Sequence, residues 1–199
     1  MKNINFKTYD TPPINKKEIL RYAGAKEATE QIEQLMESCL EEISQKLSYR
    51  VCWSRFPIRT SEDSADLFFT ETKSADLMKY LKNCSESIVF AATIGIEIDR
   101  YIARYSSISP SRSLMFQAIG AERIESLCNT FCKEIADDIK ATGKCARPRF
   151  SPGFGDLTLQ IQSDIFAFLE PQKKIGVTLN SSLLMSPSKS VTAFIGIHE

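Results

Sequence analysis

Histidine, a phosphate-binding glycine run, net charge and long apolar stretches are all missing or scarce in this sequence. A single histidine stands among 199 residues, and it is the penultimate one, His198. A terminal, solvated imidazole is a poor general base, and without another histidine no Ser/His/Asp set is available. Neither a P-loop nor a G-x-G-x-x-G run is present, so no nucleotide site of those kinds is expected. No apolar run approaches the roughly 20 residues of a membrane span. The start, Met1-Lys2-Asn3-Ile4-Asn5-Phe6, lacks the apolar segment of a secretory signal, which makes the cytoplasm the expected location. Lys+Arg and Asp+Glu balance at 25 each. No overall field therefore draws nucleic acid or an anionic membrane, and neither is expected as a partner.

Six cysteines are present, in a chain too long to need disulfide staples and without the dense spacing of a secreted framework. Cys128 and Cys132, four apart with Cys145 downstream, have the chemistry to bind a soft metal. Cys128 falls on an apolar stripe, however, and no Cys-x-x-Cys pair occurs, so packed thiols and no metal site are expected.

What is present is ordinary for a globular domain: 43% hydrophobic and 25% charged residues. The length suits one substantial domain, 1–199, with a helical N-terminal part (1–48) and an α+β core (49–199). Pro12-Pro13 forbids a helix near the start, so residues 1–14 read as irregular or extended. Asn15 with Glu18 resembles a helix N-cap pair, and Gly24 ends that helix. Ile32, Leu35, Met36, Cys39, Leu40, Ile43 and Leu47 fall at steps of three and four, predicting a helix from about Lys26 to Leu47.

Tyr49–Ile58 is β-like, Thr60–Ser64 is a loop, Asp66–Thr70 is a strand candidate, and Ser74 caps a helix to about Lys82. The run Ser87–Ile94 suits a buried strand. A helix near Glu97–Tyr105 and a break over Ser106–Ser111 follow. The longest predicted helix runs from about Ser113 to Ala141, with Ile124, Leu127, Cys128, Phe131, Ile135 and Ile139 on its apolar face. Beyond it, Leu157–Ile161 reads as extended, and Ser163 caps a short helix that Pro171 closes. Val177–Leu179, Ser182–Met185 and Val191–Ile195 read as strands. The sum is α+β, several helices packed on a mainly antiparallel twisted sheet.

Between the long helix and this C-terminal part lies Arg149-Phe150-Ser151-Pro152-Gly153-Phe154-Gly155-Asp156. Pro152 fixes φ, Gly153 is free to take positive φ, and Arg149 offers a planar fork suited to a carboxylate or phosphate. On spacing alone this is a Pro-Gly turn beside a surface arginine. The stretch R-x-S-P-G-F, followed by Ile175-Gly176-Val177-Thr178-Leu179 and Ser190-Val191-Thr192-Ala193, resembles the activation (reactivation) domain of cobalamin-dependent methionine synthase. Gly120–Leu127 resembles that family's ligand-contacting helix. Asn15–Ala28 resembles the opening of its stand-alone members, which are encoded apart from a synthase that lacks this domain.

The resemblance implies binding of S-adenosylmethionine, with a set of site residues. Arg149 would pair with the α-carboxylate, and Ser151 and Gly153 would let backbone approach the ligand. Glu125 would accept from the α-ammonium; a solvated glutamate on a helix border is the alternative. Phe154 stands where the longer synthases have a tyrosine facing the cobalamin, and it can stack but not hydrogen-bond. Gly155-Asp156-Leu157 replaces those enzymes' run of Pro, Cys and His, and Asn180-Ser181-Ser182 stands for Thr-Glu-Ser. The implied activity is reactivation of a methionine synthase whose cobalt has been oxidised. The implied partners are that synthase's cobalamin-binding module, which would carry the cobalamin, and a flavodoxin- or ferredoxin-type reductant. No catalytic residue of the chain's own is expected. A free-standing methyltransferase and a partner-binding module that has lost the ligand are the rival readings.

Overall fold

The computed structural model describes residues 3–25, 27–61 and 63–199. The first half contains β1 (Asn5–Tyr9), α1 (Lys16–Tyr22), α2 (Glu30–Ile43), β2 (Tyr49–Pro57) and three short strands, β3 (Arg59–Thr60), β4 (Ala65–Asp66) and β5 (Glu71–Thr72). Next come α3 (Ala75–Leu81), β6 (Cys84–Thr93), α4 (Glu97–Ile108), α5 (Pro110–Ala141) and β7 (Cys145–Ala146). The chain closes with α6 (Ile161–Leu169), α7 (Pro171–Ile175), β8 (Thr178–Leu179), β9 (Met185–Ser186) and β10 (Ser190–His198).

The central sheet runs β1-β2-β6-β10-β7, with every neighbouring pair antiparallel. Its middle strand, β6, is apolar on both faces because both faces are covered. Ile88, Phe90 and Ala92 join one core, while Val89 and Ala91 join the other. The first core lies under α1, α2, α4 and α5, where the expected stripe from Ile124 to Ile139 is buried throughout. Phe131 of that stripe packs against Trp53 and Phe90, with ring centroids 5.3 and 4.8 Å away. The second core lies beneath α3, α6 and α7, through Leu77, Leu81, Ile165, Leu169 and Ile175. The architecture is thus α+β, helices packed on an antiparallel sheet, as the pattern predicts. Among the described residues no helix is long and apolar enough to cross a membrane.

Local signals place several elements well. The side chain of Asn15 accepts from the Glu18 N–H, that of Ser74 accepts from the Leu77 N–H, and Gly24 and Gly143 take φ of +72° and +79° after their helices. Other boundaries differ from the expectation. Residues 5–9 form an edge strand on β2, so the segment 1–48 is not helical alone. The expected start of the second helix, Lys26, lies outside the described residues, as do Met1, Lys2 and Glu62; the helix itself begins after Thr29, whose side chain accepts from the Ile32 N–H. The expected break over 106–111 shrinks to Ser109, because Pro110 is tolerated in the first turn of a helix.

Of the expected Asp66–Thr70 strand only Asp66 is one, as the end of β4, since its carboxylate takes the Phe68 N–H and Phe68 turns to φ +69°. The Asn180 side chain accepts from the Ser182 and Leu184 N–H groups, which bends the expected Ser182–Met185 strand and leaves only Met185–Ser186. Leu157–Ile161 is no strand, since Leu159 and Gln160 turn into α6, which begins at Ile161, and Ser163 is inside α6 and not its cap. Pro171 opens α7 and does not merely close α6, the chain reversing at Glu170 with φ +49°.

One polar contact is buried deep on α5. Glu122 and Arg123 are each 2% exposed. Arg123 donates to both Glu122 carboxylate oxygens and to the carbonyls of Pro12 and Pro13, at 2.6 to 2.7 Å. The N-terminal diproline is thereby strapped to the long helix.

Candidate functional site

Two strands and two helices fix the loop after β7. Phe150 exchanges both backbone hydrogen bonds with Phe194 of β10, at 2.9 and 2.8 Å, and the Arg147 N–H donates to the Gly196 carbonyl at 2.8 Å. These bonds hold residues 147–150 against the sheet and bring the Arg149 side chain to α5. Its guanidinium donates to the Glu125 carboxylate and, at 3.2 Å, to the Asn129 side-chain oxygen. Burial works against the Arg149 charge, but the neighbouring Cys128 and Cys132, which carry charge only at high pH, and the Glu125 carboxylate outweigh it and hold its pKa above the ordinary value.

Downstream, the loop is locked to α3. The Asp156 carboxylate accepts from the Ser74 hydroxyl and from the Ala75 and Asp76 N–H groups, the latter two at 2.7 and 3.2 Å. In return the Asp156 N–H donates to the Asp76 carboxylate at 3.1 Å. These bonds, led by that from Ser74, hold the Asp156 carboxyl below the usual aspartate range. Gly155, at φ +55°, passes so close that an added Cβ would lie 2.1 Å from the Asp76 Oδ2.

Between these two fastenings the loop borders a groove of about 390 Å³. Glu125 and Arg149 supply its charged side, Ser151, Pro152 and Phe154 its loop side. Leu159 and Met185 are apolar lining, residues 190–192 of β10 form one wall, and Gln162 of α6 completes it. Phe154 is 64% exposed, its ring centroid 6.3 Å from that of Phe150, and offers a free aromatic face.

Four of the five residues singled out in the sequence, Glu125, Arg149, Ser151 and Phe154, therefore meet around one groove. Gly153 does not line it. Its N–H donates to the Leu157 carbonyl at 2.7 Å, its φ is +92°, and an added Cβ would touch only Leu159, at 3.4 Å. Its part is to make the turn that carries the rim. Nothing in the sequence marks Asn129, Gln162 or Met185, which lie outside any recognisable motif. The Asp156 lock was open to view only as a carboxylate within the loop.

A wider depression of about 830 Å³ lies between α1 and α2. It mixes Lys16 and Lys17 with Glu30, Glu33, Glu37 and Glu41, and Lys16 is already paired with Glu37 at 2.5 Å. Among the described residues no cluster of three His, Cys, Asp or Glu is placed to hold a metal. Cys128 is buried and Cys132 half-buried on α5, and burial pushes both thiols up, so they are neutral at neutral pH.

No protein-family model and no curated protein matches the sequence. Among solved structures, the chain is similar to the MetH reactivation domain bound to AdoHcy, with a TM-score of 0.69 over 98% of this chain and 78% of that one, at 13% identity. The fold of that domain is therefore the fold of this chain.

Proposed function

We propose that the chain binds S-adenosylmethionine in the groove beside Phe154 and presents its methyl group to a cobalamin-bearing methionine synthase module in the cytoplasm. The observation that carries this reading is the Arg149–Glu125 pair at the groove's edge. An α-amino acid head is itself a carboxylate beside an ammonium. It matches such a pair charge for charge, with the ligand carboxylate on the Arg149 fork and the ammonium on Glu125. The neighbouring structure adds support, being a domain of the same fold with the demethylated form of that ligand bound.

The other residues fit. A groove of about 390 Å³ is of the size that small-molecule sites take, about 300–1,000 Å³. The exposed Phe154 ring is suited to stack on a flat partner, adenine or corrin. S-adenosylmethionine supplies an electrophilic methyl on a sulfonium. This chain's residues position it and exclude water, a contribution that needs no nucleophile or base. Cobalamin would arrive on the partner, and the electron from a flavodoxin- or ferredoxin-type reductant.

The test is a reactivation assay. The chain is mixed with a synthase module carrying cobalt(II)-cobalamin, a reductant and S-adenosylmethionine, and the visible spectrum is followed. Methylcobalamin should form faster with the chain than without it, and the chain alone should leave S-adenosylmethionine unchanged. Equal rates with and without the chain would end this reading.

A further inference from the structure

Gln162 is 4% exposed, yet its side-chain Oε1 has no hydrogen-bond partner among the described residues. Buried carbonyl oxygens without a partner are uncommon, and each is a cost to the free protein that a bound donor would remove. Gln162 is also one of the residues that line the groove. Its place is firm. It lies in the first turn of α6 between Ile161 and Ile165, both buried in the second core, and its backbone N–H donates to Leu159 at 3.0 Å.

We propose that Gln162 reads the nucleobase of the ligand, its Oε1 accepting from the exocyclic amine of adenine. This rests on the reading of the groove as an S-adenosylmethionine site. The charged end of the groove, Arg149 and Glu125, is matched to the amino acid head, and the sulfonium has no proton to give. What remains of the ligand is ribose and adenine. A carboxamide sets an acceptor and a donor side by side, which is the pattern that pairs with the amine of adenine and the ring nitrogen next to it. Ser190, which also lines the groove, is not free for this part. Its hydroxyl is engaged with Thr93 at 2.9 Å and with the Pro187 carbonyl at 2.8 Å. With Phe154 offering a face for stacking, the groove holds the two things that an adenine needs, a plane and an edge.

The experiment is a calorimetric cycle with two proteins, wild type and Gln162→Leu, and three ligands. These are S-adenosylhomocysteine, its analogue whose purine lacks the 6-amino group, and its 2′-deoxy analogue. In wild type, removing the amino group should weaken binding by about tenfold, since it leaves a buried acceptor unpaired. In Gln162→Leu the two ligands should bind within about twofold of each other, the size of effect left when no hydrogen bond is at stake. Thermal unfolding of the free variant checks its fold. Its midpoint should equal or exceed that of wild type, because an unpaired polar atom has been removed.

Equal affinities of wild type for the two purines would overturn the proposal without recourse to the variant. So would the same loss in both proteins, or a loss in wild type alone on removing the 2′-hydroxyl, which would put the ribose at Gln162. If wild type binds none of the three ligands, the reading of the groove falls and this proposal with it. If it binds S-adenosylhomocysteine without discrimination, only the proposal falls.

Discussion

The guanidinium of Arg149 donates to the carboxylate of Glu125, tying the loop after β7 to the middle of α5. Glu125 keeps 39% of its side chain exposed and Arg149 22%, so the pair is open to exchange with a ligand. Because Arg149 is part-buried, the cost of burying its charge offsets much of the pair's attraction, and the pair adds little net stability. Its value lies in setting two opposite charges at the edge of a groove.

Arg149→Ala should therefore leave the unfolding midpoint almost unchanged while weakening S-adenosylhomocysteine binding. Loss of a charged hydrogen bond costs about 1.5–3 kcal/mol, or roughly ten- to a hundred-fold in affinity. Glu125→Gln should act in the same direction. Calorimetry reads both, and unchanged affinity in Arg149→Ala would remove the residue from the site.

The two loop glycines should respond differently to substitution. Gly155→Ala drives a Cβ into the Asp76 carboxylate, and should lower both the midpoint and the ligand affinity. Gly153→Val meets only Leu159, but a β-branched residue is strained at φ +92°, by about 1–3 kcal/mol. It should fold, since the residue is exposed, yet fail in reactivation because the rim it turns is displaced. Full reactivation by Gly153→Val would reduce the loop to a mere turn.

Asp156 makes the loop's attachment to α3 sensitive to acid. Its carboxyl is held below the ordinary aspartate value of about 3.9 by the Ser74 hydroxyl and two N–H groups. A group with a depressed folded pKa stabilises fully above its unfolded pKa and loses that contribution as pH falls through the folded value. Asp156→Asn should melt below wild type at neutral pH, and the gap should close as the pH is taken down past the folded value. A gap that persists in acid would show that the carboxylate charge is not what holds the loop.

Breaking the buried contact on α5 should be costly. Arg123→Ala strips the buried Glu122 carboxylate of its cation and the Pro12 carbonyl of its donor, leaving only the Asn15 N–H and the Ser126 hydroxyl on Glu122, and removing one partner of such a pair typically costs about 3–5 kcal/mol. Urea unfolding should show this loss. A change under about 1 kcal/mol, the size of an exposed pair, would mean that the strap is solvated.

Thiol titration separates the cysteines by burial. In the native protein Cys145, which is exposed, should react first. Cys39 and Cys52 should lag, since burial pushes their thiols up to about 11 and about 12. Under denaturing conditions all six should titrate; fewer would reveal a disulfide or a modified thiol.

Much of this molecule is local in origin, and that part could be read from the sequence. The stripe from Ile124 to Ile139 and the both-faced apolar run of β6 are periodic signals within a single element. The caps at Asn15 and Ser74 close hydrogen bonds three residues long, so neighbouring residue types suffice to find them. The loop from Arg149 to Asp156 was visible for a similar reason, its proline and glycines restricting the backbone wherever they occur.

Tertiary structure decided the rest, because these features depend on which surfaces meet. Residues 5–9 are a strand only because β2 offers them an edge. Glu122 and Arg123 look like solvated charges on a helix until the Pro12 and Pro13 carbonyls close over them. Gly153, expected to let backbone approach the ligand, makes the turn and is not itself among the groove's lining, since the direction of a turn is set by what its ends are bonded to, here Phe194 and Ser74. Gln162 carries no signal at all in the sequence. Its unpaired oxygen became a candidate ligand contact only when α6 was seated on the sheet and Gln162 came to line the groove.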